Sequence, residues 1–105
     1  MKRKLGLLLA LPPSHTSAAT VHGLARAALE AGHEVYVYLI DEGVKNIHAA
    51  PYRELGQSGV KLFVCAYGCQ QHRVPTLDID PHASLCGLVV LSGLLDACDP
   101  FISFT

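Results

Sequence analysis

Charge is scarce in this chain. Only 16% of the residues are Asp, Glu, Lys or Arg, against about a quarter in an ordinary soluble domain. The eight basic residues are scattered and the net charge is −1. Only Lys2, Arg3 and Lys4 cluster, as a solvated terminal leader, so no basic face for nucleic acid is built. Long apolar runs are also missing. None approaches the ~20 residues of a membrane span. Leu5 to Leu11, following Met1 to Lys4, has the outline of a signal peptide. It is at the short limit for one, however, no A-x-A site follows, and Pro12-Pro13 breaks it where a strand would end. There is no internal repeat, low-complexity tract or linker, so residues 1–105 are expected to form a single domain. Without a convincing export signal, the four cysteines are expected as reduced thiols in a cytoplasm rather than as a disulfide framework.

Apolar material is abundant instead. Half of the 105 residues are hydrophobic, more than so small a body can hide, and part of that surplus is expected to face another subunit. Leu5 to Leu11 reads as a strand buried on both faces. A polar loop, Pro12 to Ser17, offers Ser14 and Thr16 as helix caps. From Ala18, the spacing of Val21, Leu24, Ala25, Ala28 and Leu29 predicts a helix closed by Gly32. Val35 to Ile40 is a second strand. A weaker helix is expected from about Asn46 to Leu55, broken by Pro51. Val60 to Ala66 is a third strand, with a helical turn or two from Tyr67 to His72 and an irregular stretch from Val74 to Pro81. A last helix is expected to begin at Ser84 or Gly87, with Leu85, Leu88, Leu91, Leu94, Leu95 and Cys98 on one face. A competing strand at Leu88 to Leu91 is weighed against it. Phe101 to Phe104 alternates as a final strand. Strands alternating with helices imply a three-layer α/β/α fold around an open, mostly parallel sheet of four to five strands, flavodoxin- or Rossmann-like in topology.

In such sheets ligands gather at the carboxyl ends of the strands, where strand order reverses. That edge is expected to carry Pro12 to Thr16, Asp41 to Val44, and Cys65 to Arg73. The first loop contains no glycine, so a close backbone approach to phosphate is not prepared. The histidines at 22, 33, 48 and 82 are too dispersed to nominate as ligands. The third loop carries the reactive set. If the turn after Cys65 is helical, Cys65, Cys69 and His72 fall on one face, with Arg73 next. A cation and helix amides favour the thiolate, the nucleophilic form, which can accept sulfur as a persulfide or form a disulfide. The plain alternative is that both thiols simply pack, as buried cysteines do. Another is a small-ligand or metal site at Cys65, Cys69 and His72. Cys86 and Cys98, on or beside the last helix's apolar stripe, are expected to pack in the core.

Taken in order, several segments resemble the DsrE/DsrF/TusD group of small sulfur-relay proteins. They are Ala27-Ala28-Leu29-Glu30-Ala31-Gly32-His33-Glu34, Asp41-Glu42-Gly43-Val44, Val60-Lys61-Leu62-Phe63-Val64-Cys65, Leu91-Ser92-Gly93-Leu94, and Cys98-Asp99-Pro100-Phe101-Ile102-Ser103-Phe104. The resemblance implies a DsrE-like fold and a cysteine-based sulfurtransferase or persulfide carrier in intracellular sulfur trafficking. It implies a non-catalytic subunit of a relay assembly as the alternative. Cys65 falls where that family carries sulfur, and Cys69 compares with a second cysteine found in some members. Arg73 or His72 then serves as the thiolate-stabilising cation. The family's Arg-Gly pair is replaced here by Arg73-Val74, with the arginine one place late and the glycine absent. A TusA-like small carrier is implied as partner, together with an oligomer, and neither cofactor nor metal is expected.

Overall fold

The computed structural model describes residues 2–105. Its elements are β1 (Lys4–Leu9), α1 (Thr16–Glu30), β2 (Glu34–Leu39), a 3-10 segment (Asp41–His48), α2 (Ala50–Ser58), β3 (Lys61–Cys65), α3 (Ala66–Gln71), β4 (Ala83–Cys86), α4 (Leu88–Ala97) and β5 (Phe101–Phe104). The strands form one sheet in the order β4-β3-β2-β1-β5. Every neighbouring pair is parallel. Three successive connections step one way along the sheet, and the fourth returns across it to place β5 beside β1. Right-handed crossovers therefore carry α1 and α2 over one face and α4 over the other. On the shared face, Tyr52 of α2 donates to the Ala18 carbonyl of α1 at 2.7 Å, and Arg26 pairs with Glu54.

The apolar runs become strands because both sides of the sheet are covered. Leu7, Leu9, Val37, Leu39 and Val64 are fully buried. The opposite phase carries Leu8, Tyr38 and Phe63 in one row across β1, β2 and β3. Two residues beyond Phe63, on the same side, stands Cys65.

The ends of α1 differ from expectation at one point. The N-cap is His15, whose Nδ1 accepts from the Ser17 amide at 3.0 Å, and not Ser14 or Thr16. Gly32 ends the helix with φ of 90°, a conformation that costs glycine little. The helix expected from Asn46 is also redrawn. Pro51 sits in the first turn of α2, where a missing N–H costs nothing, and the preceding 3-10 segment reaches back to Asp41. Buried Asn46 ties that segment to β1's exit, its Nδ2 donating to Leu11 O at 3.1 Å and Gly43 O at 3.0 Å.

The largest correction lies near the C-terminus. Ala83–Cys86 is a strand paired with β3 and not the start of the last helix. Helix α4 begins at Leu88, with Gly87 as its cap. Leu88 to Leu91, weighed as a strand, lies in this helix. The physical reason is the outer edge of β3, whose unpaired backbone groups need a partner. Ala83–Cys86 supplies it. Of the expected helix stripe, Leu94 and Cys98 are buried, whereas Leu88 and Leu95 are exposed. No helix among the described residues is long and apolar enough to cross a membrane.

Candidate functional site

Strand β3 ends at Cys65, which is also the N-cap of α3. Its sulfur accepts a hydrogen bond from the Gly68 amide at 3.4 Å. An amide aimed at sulfur can hold negative charge there. Glycine at 68 is required by space. A Cβ on it would meet Val44 Cγ1 at 2.9 Å and the Asp41 amide nitrogen at 3.3 Å. Without a side chain at 68, α3 closes against the 3-10 segment and the Gly68 amide reaches the thiol.

Cys65 is only 4% exposed, at the wall of a cleft of about 250 Å3 that is also lined by Ile40, Asp41, Tyr67, Gln71 and Leu88. Tyr67 and Leu88 are exposed and form its rim. A group entering the cleft meets apolar walls with one carboxylate, Asp41, and one amide, Gln71. Asp41 has a left-handed backbone with φ of 52°. Its Oδ1 lies 2.8 Å from His72 Nε2.

The residues expected to work with Cys65 have separate surroundings. Cys69 is 1% exposed and belongs to the core. Burial, and secondarily the neighbouring Cys65, pushes its thiol pKa up. His72 engages Asp41. Arg73 is exposed with φ of 56°, and among the described residues its side chain forms no ion pair. Nor does any group of three or more His, Cys, Asp or Glu among the described residues stand ready to hold a metal ion.

The other expected loops do lie at the same edge, but the strand-order reversal is between β1 and β5, beside Pro12 to Thr16. Cys65 is two strands away from it. Two residues that sequence reasoning missed adjoin Cys65. Cys86, expected on a helix, ends β4 as the direct register partner of Cys65. Its thiol donates to the Val64 carbonyl at 3.7 Å. Burial pushes the Cys86 thiol up, partly opposed by a hydrogen bond with Tyr38. Tyr38 is fully buried and donates to Gly87 O at 3.0 Å. Burial raises its phenol strongly, and the Cys86 and Cys65 thiols beside it add to the shift. The only sequence signal for Tyr38 was its place near the end of an apolar strand. Cys86 gave none, because the strand that positions it was hidden.

No curated protein sequence matches this chain. Among solved structures, the crystal structure of the ychN protein from E. coli is similar, with a TM-score of 0.83 at 15% identity. The likeness covers 99% of this chain and 100% of that one, and it establishes the fold. The model of the DsrE/DsrF-like family matches residues 3–104. With nearly its whole length matched, this chain belongs to the DsrE/DsrF-like family.

Proposed function

We propose that the protein is a persulfide carrier in sulfur relay, with Cys65 as the thiol that accepts and passes on sulfane sulfur. The observation that supports it most is the place of Cys65 at the end of β3, in an apolar cleft, with the Gly68 amide on its sulfur. The exchange is redox-neutral. Cys65 thiolate attacks the terminal sulfur of a donor persulfide, the donor's sulfur–sulfur bond breaks, and the donor leaves as a thiolate. Cys65 then carries the extra sulfur until an acceptor thiolate attacks in the same way. The cleft is largely apolar and, in this reading, admits a narrow cysteine-bearing segment, which fits a TusA-like small carrier as partner. Arg73, just beyond α3, is the cation of this reading, with His72, paired to Asp41, next to it in the chain, and Cys69 is the secondary thiol. A reducing cytoplasm is the compartment where such thiols persist.

Exposed Leu88, Val89 and Leu95 on α4 support assembly into a homo-oligomer. Mass spectrometry after incubation with inorganic polysulfide tests the carrier. One added sulfur is expected on Cys65 in the wild type and in Cys69→Ser, and none on that site in Cys65→Ser. A folded protein that gains no sulfur, in the wild type and in Cys86→Ser alike, refutes it.

A second reading, a non-catalytic subunit of a relay assembly, draws on the burial of both Cys65 and Cys69. Native thiols inert to alkylation, in a protein that forms a stable oligomer, decide for it.

A further inference from the structure

We infer that Cys86 is the resolving thiol of this site, attacking the Cys65 sulfur when that sulfur carries a leaving group and closing a Cys65–Cys86 disulfide. The inference rests on the carrier reading for its sulfur chemistry, but not for the pairing of the two residues. That pairing is set by β4. Cys65 and Cys86 are register partners on adjacent parallel strands, and their side chains leave the sheet on the same side, toward Tyr38. Neighbouring strands lie about 4.7–4.9 Å apart, inside the Cα separation of about 4.4–6.8 Å that disulfides span. The Cys86 sulfur is within 3.7 Å of the Val64 carbonyl, one residue before Cys65. Tyr38, in hydrogen bond to Gly87 O, pins the turn that follows Cys86.

Cys69 is the rival, and its position is poorer. Cys65 is only the N-cap of α3, with an extended backbone, so the two do not share a regular helical face. The Cys69 thiol is also enclosed in the core, whereas Cys86 is half-buried at the sheet's edge strand.

The step balances without an added oxidant when the leaving group is sulfane sulfur. Cys86 thiolate attacks Cys65 Sγ, a new sulfur–sulfur bond forms, and the persulfide bond breaks. Hydrosulfide departs with the bonding electron pair and the persulfide's proton. The two cysteines are oxidised and the sulfane sulfur is reduced. A low-molecular-weight dithiol restores both thiols by exchange. Unloading as hydrosulfide thus competes with delivery to a partner whenever the acceptor is absent.

Two measurements test it. In the first, wild-type protein is oxidised with diamide, whose adduct on Cys65 is displaced by Cys86 with release of the reduced hydrazine. Peptide mapping under non-reducing conditions is expected to find Cys65 joined to Cys86 within one chain. A Cys65–Cys69 bridge, links between chains only, or no bridge overturns the inference. In the second, wild type and Cys86→Ser are loaded with inorganic polysulfide, desalted and followed by intact mass and hydrosulfide release. The persulfide is expected to survive about tenfold longer or more in Cys86→Ser, because the resolving thiol acts within the molecule. Equal lifetimes overturn the inference. If neither protein takes up sulfur yet diamide yields the Cys65–Cys86 bridge, the pairing stands and the carrier reading alone falls.

Discussion

Substituting Gly43 by alanine tests how tightly the edge of the site is held. An added Cβ would sit 1.9 Å from the Leu9 carbonyl oxygen and 2.7 Å from its carbonyl carbon. A carbon and a carbonyl oxygen in contact stand about 3.3 Å apart, so ~1.4 Å must be cleared. Leu9 cannot provide it, because β1 is hydrogen-bonded to β2 and β5 on its two sides. The 3-10 segment must retreat instead. That breaks or stretches the bond from Gly43 N to Ile40 O, now 2.8 Å, and the two bonds that satisfy buried Asn46. It also loosens Val44 and Ile47, both fully buried. One lost hydrogen bond costs about 1 kcal/mol net, and an unsatisfied buried amide about 1–3 kcal/mol. With partial unpacking of two aliphatic side chains, Gly43→Ala is expected to cost on the order of 3–5 kcal/mol, in the exceptional range for one residue. A domain of this size holds about 5–15 kcal/mol in all. Urea denaturation followed by circular dichroism measures the loss. A cost below about 1 kcal/mol would show that the segment carrying Asp41 yields freely, and would refute the account of a rigid cleft wall.

Three further outcomes are expected. Tyr38→Phe leaves the Gly87 carbonyl without its donor and should cost about 1–2 kcal/mol in the same urea assay; an unchanged midpoint contradicts the pinning of the turn after Cys86. Stability should fall as pH rises from about 8 to about 10, because burial raises the thiols of Cys69, Cys86 and Cys98 above 9.0. The unfolded thiols ionise from near 9.0 while the folded ones keep their protons. The folded state's advantage is therefore whole below that value and is lost through the raised ones. Urea midpoints that are flat or rising over this range contradict the sign. Val89→Lys should reduce the oligomeric mass measured by light scattering, since it places charge on the exposed apolar side of α4; an unchanged mass removes that surface from the interface.

Strands β1, β2 and β3 were legible in the sequence because a strand covered on both faces writes a continuous apolar run. Phe101 to Phe104 was legible for its alternation. Strand β4 was not, since Ala83–Cys86 is short and merges with the leucines that follow, and nothing local records that β3 needs a second neighbour. That single hidden strand moved Cys86 from an expected core stripe to the side of Cys65. The helical turn expected from Tyr67 to His72 is there, as α3. Spacing tells which residues are neighbours along a helix, but not whether their shared face meets solvent or core, and Cys69 met the core. Asp41 depends on a left-handed backbone at a non-glycine residue, for which the sequence carries no sign.

The pairing of Gly6 with Phe101 has a consequence for how the molecule comes into being. Of the five strands β1 is made before the others and lies next to the sheet's edge, and one of its two sides is closed only by the four residues of β5, made after all the rest of the sheet. Until those residues emerge from the ribosome, the most apolar strand offers a bare row of amides and carbonyls to any extended segment nearby. The last strand therefore acts as a latch. Closing so long a loop is entropically costly and slow, and a nascent or trimmed chain is expected to be most prone to association in the interval before it shuts.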